Sequence, residues 1–337
     1  MDATGLLTLS AARAARMIAL AQLDAAVAAY GRFDNPDDPE ALHDFRVALR
    51  RLRSCMQTYQ DVLSDTLSKK SRKQLRRFAR ATNEARDAEV RIEWLRSQEH
   101  HLPARQRIGW LWLLERLEAR KAKAYDEIRA RVIKDFLRLE PKLRKQLQRY
   151  TVAYDLHGQM REPPFTEIIG KQIKQHSKEL EQDLWRAASS TDMQTLHNTR
   201  IQVKRLRYLL EPMQEEIKDG KQIIKELKGL QDLLGDLHDA HLHAQEITLA
   251  VETAAAGRAR RLLEIELGDE TDPARLRAEQ RRNEHAGLVT LARLAKARTE
   301  TLFTEITAHY LDDGAQALVR RITRLGQSLL EKARGVK

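Results

Sequence analysis

The sequence predicts an all-α protein on three observations. Of 337 residues, 42% are hydrophobic and 32% charged, with only 14 Gly and 8 Pro, a composition of long amphipathic helices. Apolar residues recur every three or four positions through most of the chain. Turn-forming residues gather in a few short stretches. A first helix is predicted from about 8 to about 30, stopped by the GRFDNPDD stretch with Gly31, Asn35 and Pro36. Asp38 as a side-chain cap, Pro39 as a ring-fixed first residue and Glu40 as a first-turn acid start a second, running to about Leu63. A third, from about 69 to about 98, carries Arg72, Lys73, Arg76 and Arg80 on one flank and Phe78, Ala81, Ala85, Ala88 and Ile92 on another. Pro103 opens a segment to about 150 in which Trp110 and Trp112 are expected in the core, and Pro141 is expected to kink or divide it. The stretch 155–164, with Gly158, Pro163 and Pro164, reads as a boundary. Further helices are predicted at about 165–189, 192–217, 219–255, 272–309 and 313–334, with Thr191 and Gln194 forming a capping box.

The second half restates the first. LHDFRVALRRLR at 42–53 reappears as LHNTRIQVKRLR at 196–207, an offset of 154, and Lys73, Leu75, Asp87 and Ala88 are answered by Lys225, Leu227, Asp239 and Ala240 at an offset of 152. A duplicated helical unit predicts two pseudo-symmetric bundles, 1–160 and 161–337, making together one compact domain with the motif helices face to face. On a helix His43, Arg46, Arg50 and Arg53 form one stripe, opposite Phe45, Ala48, Leu49, Leu52 and Met56. His197, Arg200, Lys204 and Arg207 repeat it, opposite Val203, Leu206, Leu210 and Met213. The only acid within 43–53 is Asp44 and there is none within 197–207, so the stripes lack local counter-charges. Asp87 and Asp239 are candidates to orient arginines of a neighbouring helix.

The net charge of +11 at pH 7 calls for an acidic partner. Arginine offers a bidentate fork and lysine a compact ammonium to phosphate oxygens, and each histidine either becomes a donor, protonated more readily beside a polyanion, or satisfies a neighbouring backbone group or carboxylate near its helix N-terminus. A single cysteine, Cys55, is expected to be a small packing residue in a reducing compartment. Arg13 and Arg16 interrupt the N-terminal apolar residues, so neither a signal peptide nor a membrane span is expected, and the protein is placed in the cytoplasm. His238, Asp239, His241 and His243 read as scattered surface residues rather than a metal site. No phosphate loop, nucleophile elbow or HExxH pattern is present, so no enzymatic activity and no cofactor are expected. Aromatic residues are only 5% of the chain, which disfavours single-strand nucleic-acid binding by base stacking. Backbone-directed nucleic-acid binding and metal chelation by His43 and His197 stand as alternatives to polyanion binding.

HxxRVxxRRLR followed by EARDAEV, and HxxRxxxKRLRY followed by LQDLLGDLHDA, resemble the two signatures of the CHAD family, the conserved histidine α-helical domain, over nearly the whole chain. The triphosphate tunnel domain often joined to such domains has no counterpart here, so the chain resembles a stand-alone form. The resemblance implies a compact helical fold whose basic face or pore binds inorganic polyphosphate, with targeting to polyphosphate granules. Carried over by motif position, the binding residues are His43, Arg46, Arg50, Arg51, Arg53, His197, Arg200, Lys204, Arg205 and Arg207. Arg51 and Arg205, about 80° from the histidine of their helix, are assigned to the rim. Lys73, Arg76, Arg80, Lys225 and Lys228 are additions argued from their helices.

Overall fold

A computed structural model describes residues 5–33, 38, 40–63, 68–156, 163–187, 193–268, 273–308 and 313–335, with the side chains of 149–156 and 313 not described. Its elements are helical, apart from one isolated bridge between Ser10 and Pro164. In chain order they are α1 (Ala11–Tyr30), α2 (Glu40–Thr58), α3 (Lys69–Ser97), α4 (Arg107–Glu127), α5 (Ile133–Leu156), α6 (Phe165–Arg186), α7 (Met193–Leu210), α8 (Gly220–Glu266), α9 (Pro273–Arg281), α10 (Glu284–Ile306) and α11 (Asp313–Gly335).

Local chemistry explains the boundaries. The Ser10 hydroxyl accepts the Arg13 N–H to start α1, and the Asp38 carboxylate accepts the Glu40 N–H at 3.1 Å to start α2. Pro39, Thr191 and residues 157–162 of the predicted boundary lie outside the described residues. Three expectations need correction. Pro141 does not divide its helix, since it lies within α5, and a π turn over Ile128–Val132 separates α4 from α5 instead. The single helix expected over 272–309 is two, because Asn283 caps a new start by accepting the Ala286 N–H at 3.2 Å. The helix opening at Gly220 continues past 255 to Glu266.

The chain forms two compact units. The first comprises residues 1–83, 126–234 and 306–337, the second 84–125 and 235–305, so α3 and α8 contribute to both. In the first unit α1 packs on α2, α5 and α6, α6 packs on α7 and α11, and α2 meets α7. Its core includes an edge-to-face run of aromatic rings, Phe33 on Phe45, Phe45 on Phe136 and Phe136 on Phe78. Cys55 is buried there against the Ala15 carbonyl, and burial pushes its thiol up to about 12. In the second unit Trp110, Trp112, Leu113 and Leu117 pack with Ile92, Leu95, Ile247, Leu288 and Leu291, and the Trp110 indole donates to the Leu95 carbonyl at 2.7 Å.

The start of α10 approaches α4 so closely that only glycine fits. A Cβ on Gly109 would lie 2.2 Å from the Glu284 carbonyl oxygen, and one on Gly287 would lie 2.1 Å from that of Gln106. Gly109→Ala is therefore expected to lower stability by about 2–3 kcal/mol, since backbone cannot give way as a side chain can. Thermal unfolding checks this, and an unchanged midpoint would contradict the crossing.

Candidate functional site

α2 and α7 pack against each other within the first unit. Their apolar residues are committed to the core: Phe45, Ala48, Leu49, Leu52 and Met56 on one side, and Val203, Leu206, Leu210 and Met213 on the other, are buried. Helical periodicity then leaves the basic positions on the remaining face of each helix.

Those positions meet. Burial first, and then the guanidiniums of Arg200, Arg50, Arg53 and Arg205, push the Lys204 ammonium down from 10.5 to about 8. Two of those arginines come from α2 and two from α7, so one lysine reports the convergence of both motifs. Arg53 is lowered by burial and then by Arg50 and Arg76, which draws α3 into the same cluster. His197 is lowered by burial and then by Arg200 and Lys204. Like charges held together in a partly dehydrated place favour loss of a proton from whichever can release it, here lysine and histidine rather than arginine.

One aromatic ring moderates the crowding. The guanidinium carbons of Arg50 and Arg51 each lie 5.8 Å from the centre of the Tyr208 ring, and that of Arg207 lies 5.2 Å from it. The negative face of the ring attracts all three. The buried Tyr208 hydroxyl and the Nε atoms of Arg50 and Arg200 have no hydrogen-bond partner among the described residues.

The expectation that the stripes lack counter-charges is corrected at one edge. Glu211, in the 3-10 turn Glu211–Met213, lies 3.0 Å from Arg51 and 3.5 Å from Arg207. It is four residues beyond Arg207, just outside the repeated motif, and therefore escapes a search confined to it. Asp44 turns instead to Arg32, at 2.5 Å. Among the described residues Arg50, Arg53, Arg200 and Lys204 form no ion pair. Seven sequence-predicted residues thus belong to one cluster: Arg50, Arg53, Arg76, His197, Arg200, Lys204 and Arg205. Arg51 and Arg207 border it beside Glu211, where Arg51 and Tyr208 also line a cavity of about 570 Å³ walled by Met17, Ile18 and Leu209. The pattern gave no sign of that cavity. His43 and Arg46 are half-buried on α2, while Lys73, Arg80, Lys225 and Lys228 are exposed and no contact joins them to the cluster among the described residues.

The histidines of α8 are not all at the surface, as the sequence suggested. His243 is buried and stacked on Trp94, ring centres 4.6 Å apart, and burial with the nearby Arg91 lowers it to about 4. His241 pairs with Gln245 at 2.9 Å. Among the described residues no group of three or more His, Cys, Asp or Glu comes together in a way that could hold a metal. Asp87 is exposed and Asp239 half-buried. No described helix is long and apolar enough to cross a membrane.

Comparison with known proteins adds a family and a fold. The sequence pattern of the CHAD domain matches residues 17–248. The crystal structure of the CHAD domain from the plant Ricinus communis matches with a TM-score of 0.55 at 19% identity, covering 92% of each chain. PptA from Streptomyces chartreusis matches with a TM-score of 0.52 at 14% identity, covering 88% of this chain and 100% of its own. No curated protein matches by sequence.

Proposed function

The chain belongs to the CHAD family, and from that premise we propose that it binds inorganic polyphosphate without catalysis, through the cationic cluster where α2 meets α7. The observation that carries this is Lys204, lowered to about 8 first by burial and then by four surrounding arginines of both helices, with no acid of the described residues paired to it. An assembly of this kind is unfavourable alone and is relieved by an anion carrying many charges along its length. A phosphate chain has no bases or sugars to read. It asks only for guanidinium and ammonium donors at several successive oxygens.

The duplication is part of the same proposal, with 1–160 and 161–337 as its two repeats. Its support is a matched set of packings: α1 lies on α2 and α5 as α6 lies on α7 and α11, while α1 meets α6 and α2 meets α7. A pseudo-twofold axis exchanging the halves would produce these pairs and set the two stripes on a shared basic face or pore. Association with polyphosphate granules follows from the family reading.

Tyr208 weighs against the nucleic-acid alternative. It is the aromatic residue beside the cluster, and three guanidiniums already surround its ring, so no base can stack there without displacing them. Competition binding tests the reading with long-chain polyphosphate, orthophosphate, single-stranded DNA and Zn²⁺ at matched charge and salt. Polyphosphate is expected to bind tightest, with an affinity falling linearly in log salt as counterions are released. Equal affinity for DNA, or tighter binding of Zn²⁺, would overturn it.

A further inference from the structure

Among the described residues of the second unit, one face of α8 is exposed. Beyond Glu246, α8 buries Ile247, Ala250 and Ala254 in the core of that unit, while on the opposite face Leu249, Leu263 and Leu267 are 56%, 54% and 81% exposed. Glu252, Thr253, Ala256, Ala259 and Arg260 are exposed between them. At 100° per residue, positions 249, 252, 256, 260, 263 and 267 all fall within about 40° of the direction of Ala256. Leu249, Ala256 and Leu263 recur every seven residues, the narrow seam of a helix that pairs with another helix. Beside this seam runs a groove of about 470 Å³ shared with Trp112 and Arg116 of α4.

The charges on the seam identify its occupant. Glu252 and Arg260 sit four residues to either side of Ala256 and form no ion pair among the described residues. We propose that this face pairs with the same face of a second copy of the chain, antiparallel about a twofold axis through Ala256. Leu249 then lies on Leu263 of the other copy, Glu252 opposes Arg260 twice, and the small Ala256 at the axis lets the two backbones approach. A parallel arrangement would set Glu252 on Glu252 and Arg260 on Arg260, which repel. A lipid surface is disfavoured by the acid in the middle of the stripe. The seam runs about 28 Å, at the small end of specific interfaces, so a dissociation constant on the order of 10 µM is expected.

Sedimentation of the full chain without polyphosphate tests this. The wild type is expected to pass from monomer to dimer with rising concentration. Glu252→Arg and Arg260→Glu should each be monomeric, and their equimolar mixture should dimerise, because every cross-pair is then opposite in sign. With an added disulfide oxidant such as oxidised glutathione to accept the two electrons and two protons, Ala256→Cys should give a covalent dimer across the axis, while Cys55, buried and with its thiol pushed up to about 12, stays out of the reaction. A wild type that remains monomeric, or a mixture that does not associate, overturns the proposal. A monomer that instead sediments with phosphatidylcholine vesicles assigns the stripe to a lipid surface and overturns it equally.

Discussion

Replacing Arg50 and Lys204 together with methionine is expected to weaken long-chain polyphosphate binding by about a hundredfold or more, since a hydrogen bond to a charged group contributes about 1.5–3 kcal/mol and each 1.4 kcal/mol is tenfold. Methionine keeps most of each aliphatic stem, so the packing of α2 on α7 is retained while two charges are removed. Free-protein stability should move the opposite way. A lysine lowered from 10.5 to about 8 in the folded state costs that state on the order of 3 kcal/mol at neutral pH, and the variant is relieved of it. The slope of log affinity against log salt should also fall by about 2, one for each lost phosphate contact. Calorimetric titration and thermal unfolding of the same samples separate the two effects. Unchanged affinity with lost stability would make these residues structural.

Raising the pH should weaken binding in a window set by Lys204. In the free protein this ammonium loses its proton near 8, whereas a bound polyanion holds the proton to at least the ordinary lysine range. Binding between about pH 8 and 10.5 therefore takes up a proton, and affinity falls by up to about tenfold per pH unit. Below this window the group is charged in both states and contributes no slope. Its effect on the stability of the free protein has the opposite sign: the cost is fully present below about 8 and fades as pH rises toward 10.5, where the unfolded chain also loses the proton. His197, lowered by burial and then by Arg200 and Lys204, adds a second decline at lower pH, where phosphate protonation overlaps with it. Lys204→Arg isolates the alkaline decline, because guanidinium keeps its proton throughout. Affinity that falls equally in that variant would place the titration elsewhere.

Much of the fold was legible because core formation and charge display impose the same period on a helix. The apolar positions of the two motif helices are buried as the 3.6-residue repeat requires, and the cap expected at Asp38 begins the helix it adjoins. Other features escaped for stated reasons. Pro141 reads as one place where the segment could divide, yet α5 runs through it and the division falls at the π turn Ile128–Val132, which carries no residue signature. Asn283 offered a cap in the middle of a strong periodic run, and the periodicity masked it. His243 looks like one of several surface histidines until α8 is placed, when it falls on the inward face beside Trp94.

The same holds for the site. Spacing grouped Arg50 and Arg53 on one helix and Arg200 and Lys204 on another, but no one-dimensional pattern tells how far apart two helices stand. In the structure α2 meets α7, and arginines of both helices act on Lys204. Glu211 lies beyond the repeated motif, and its pairing with Arg51 is a tertiary fact. The role of Tyr208 as a shared platform for three guanidiniums likewise depends on α2 crossing α7.

A crystal structure of the chain grown with long-chain polyphosphate tests the central claim most directly. Phosphate density is expected between α2 and α7, within hydrogen-bond distance of Arg50, Arg53, Arg200 and Lys204. Density elsewhere on the molecule, with those four side chains untouched, would contradict it.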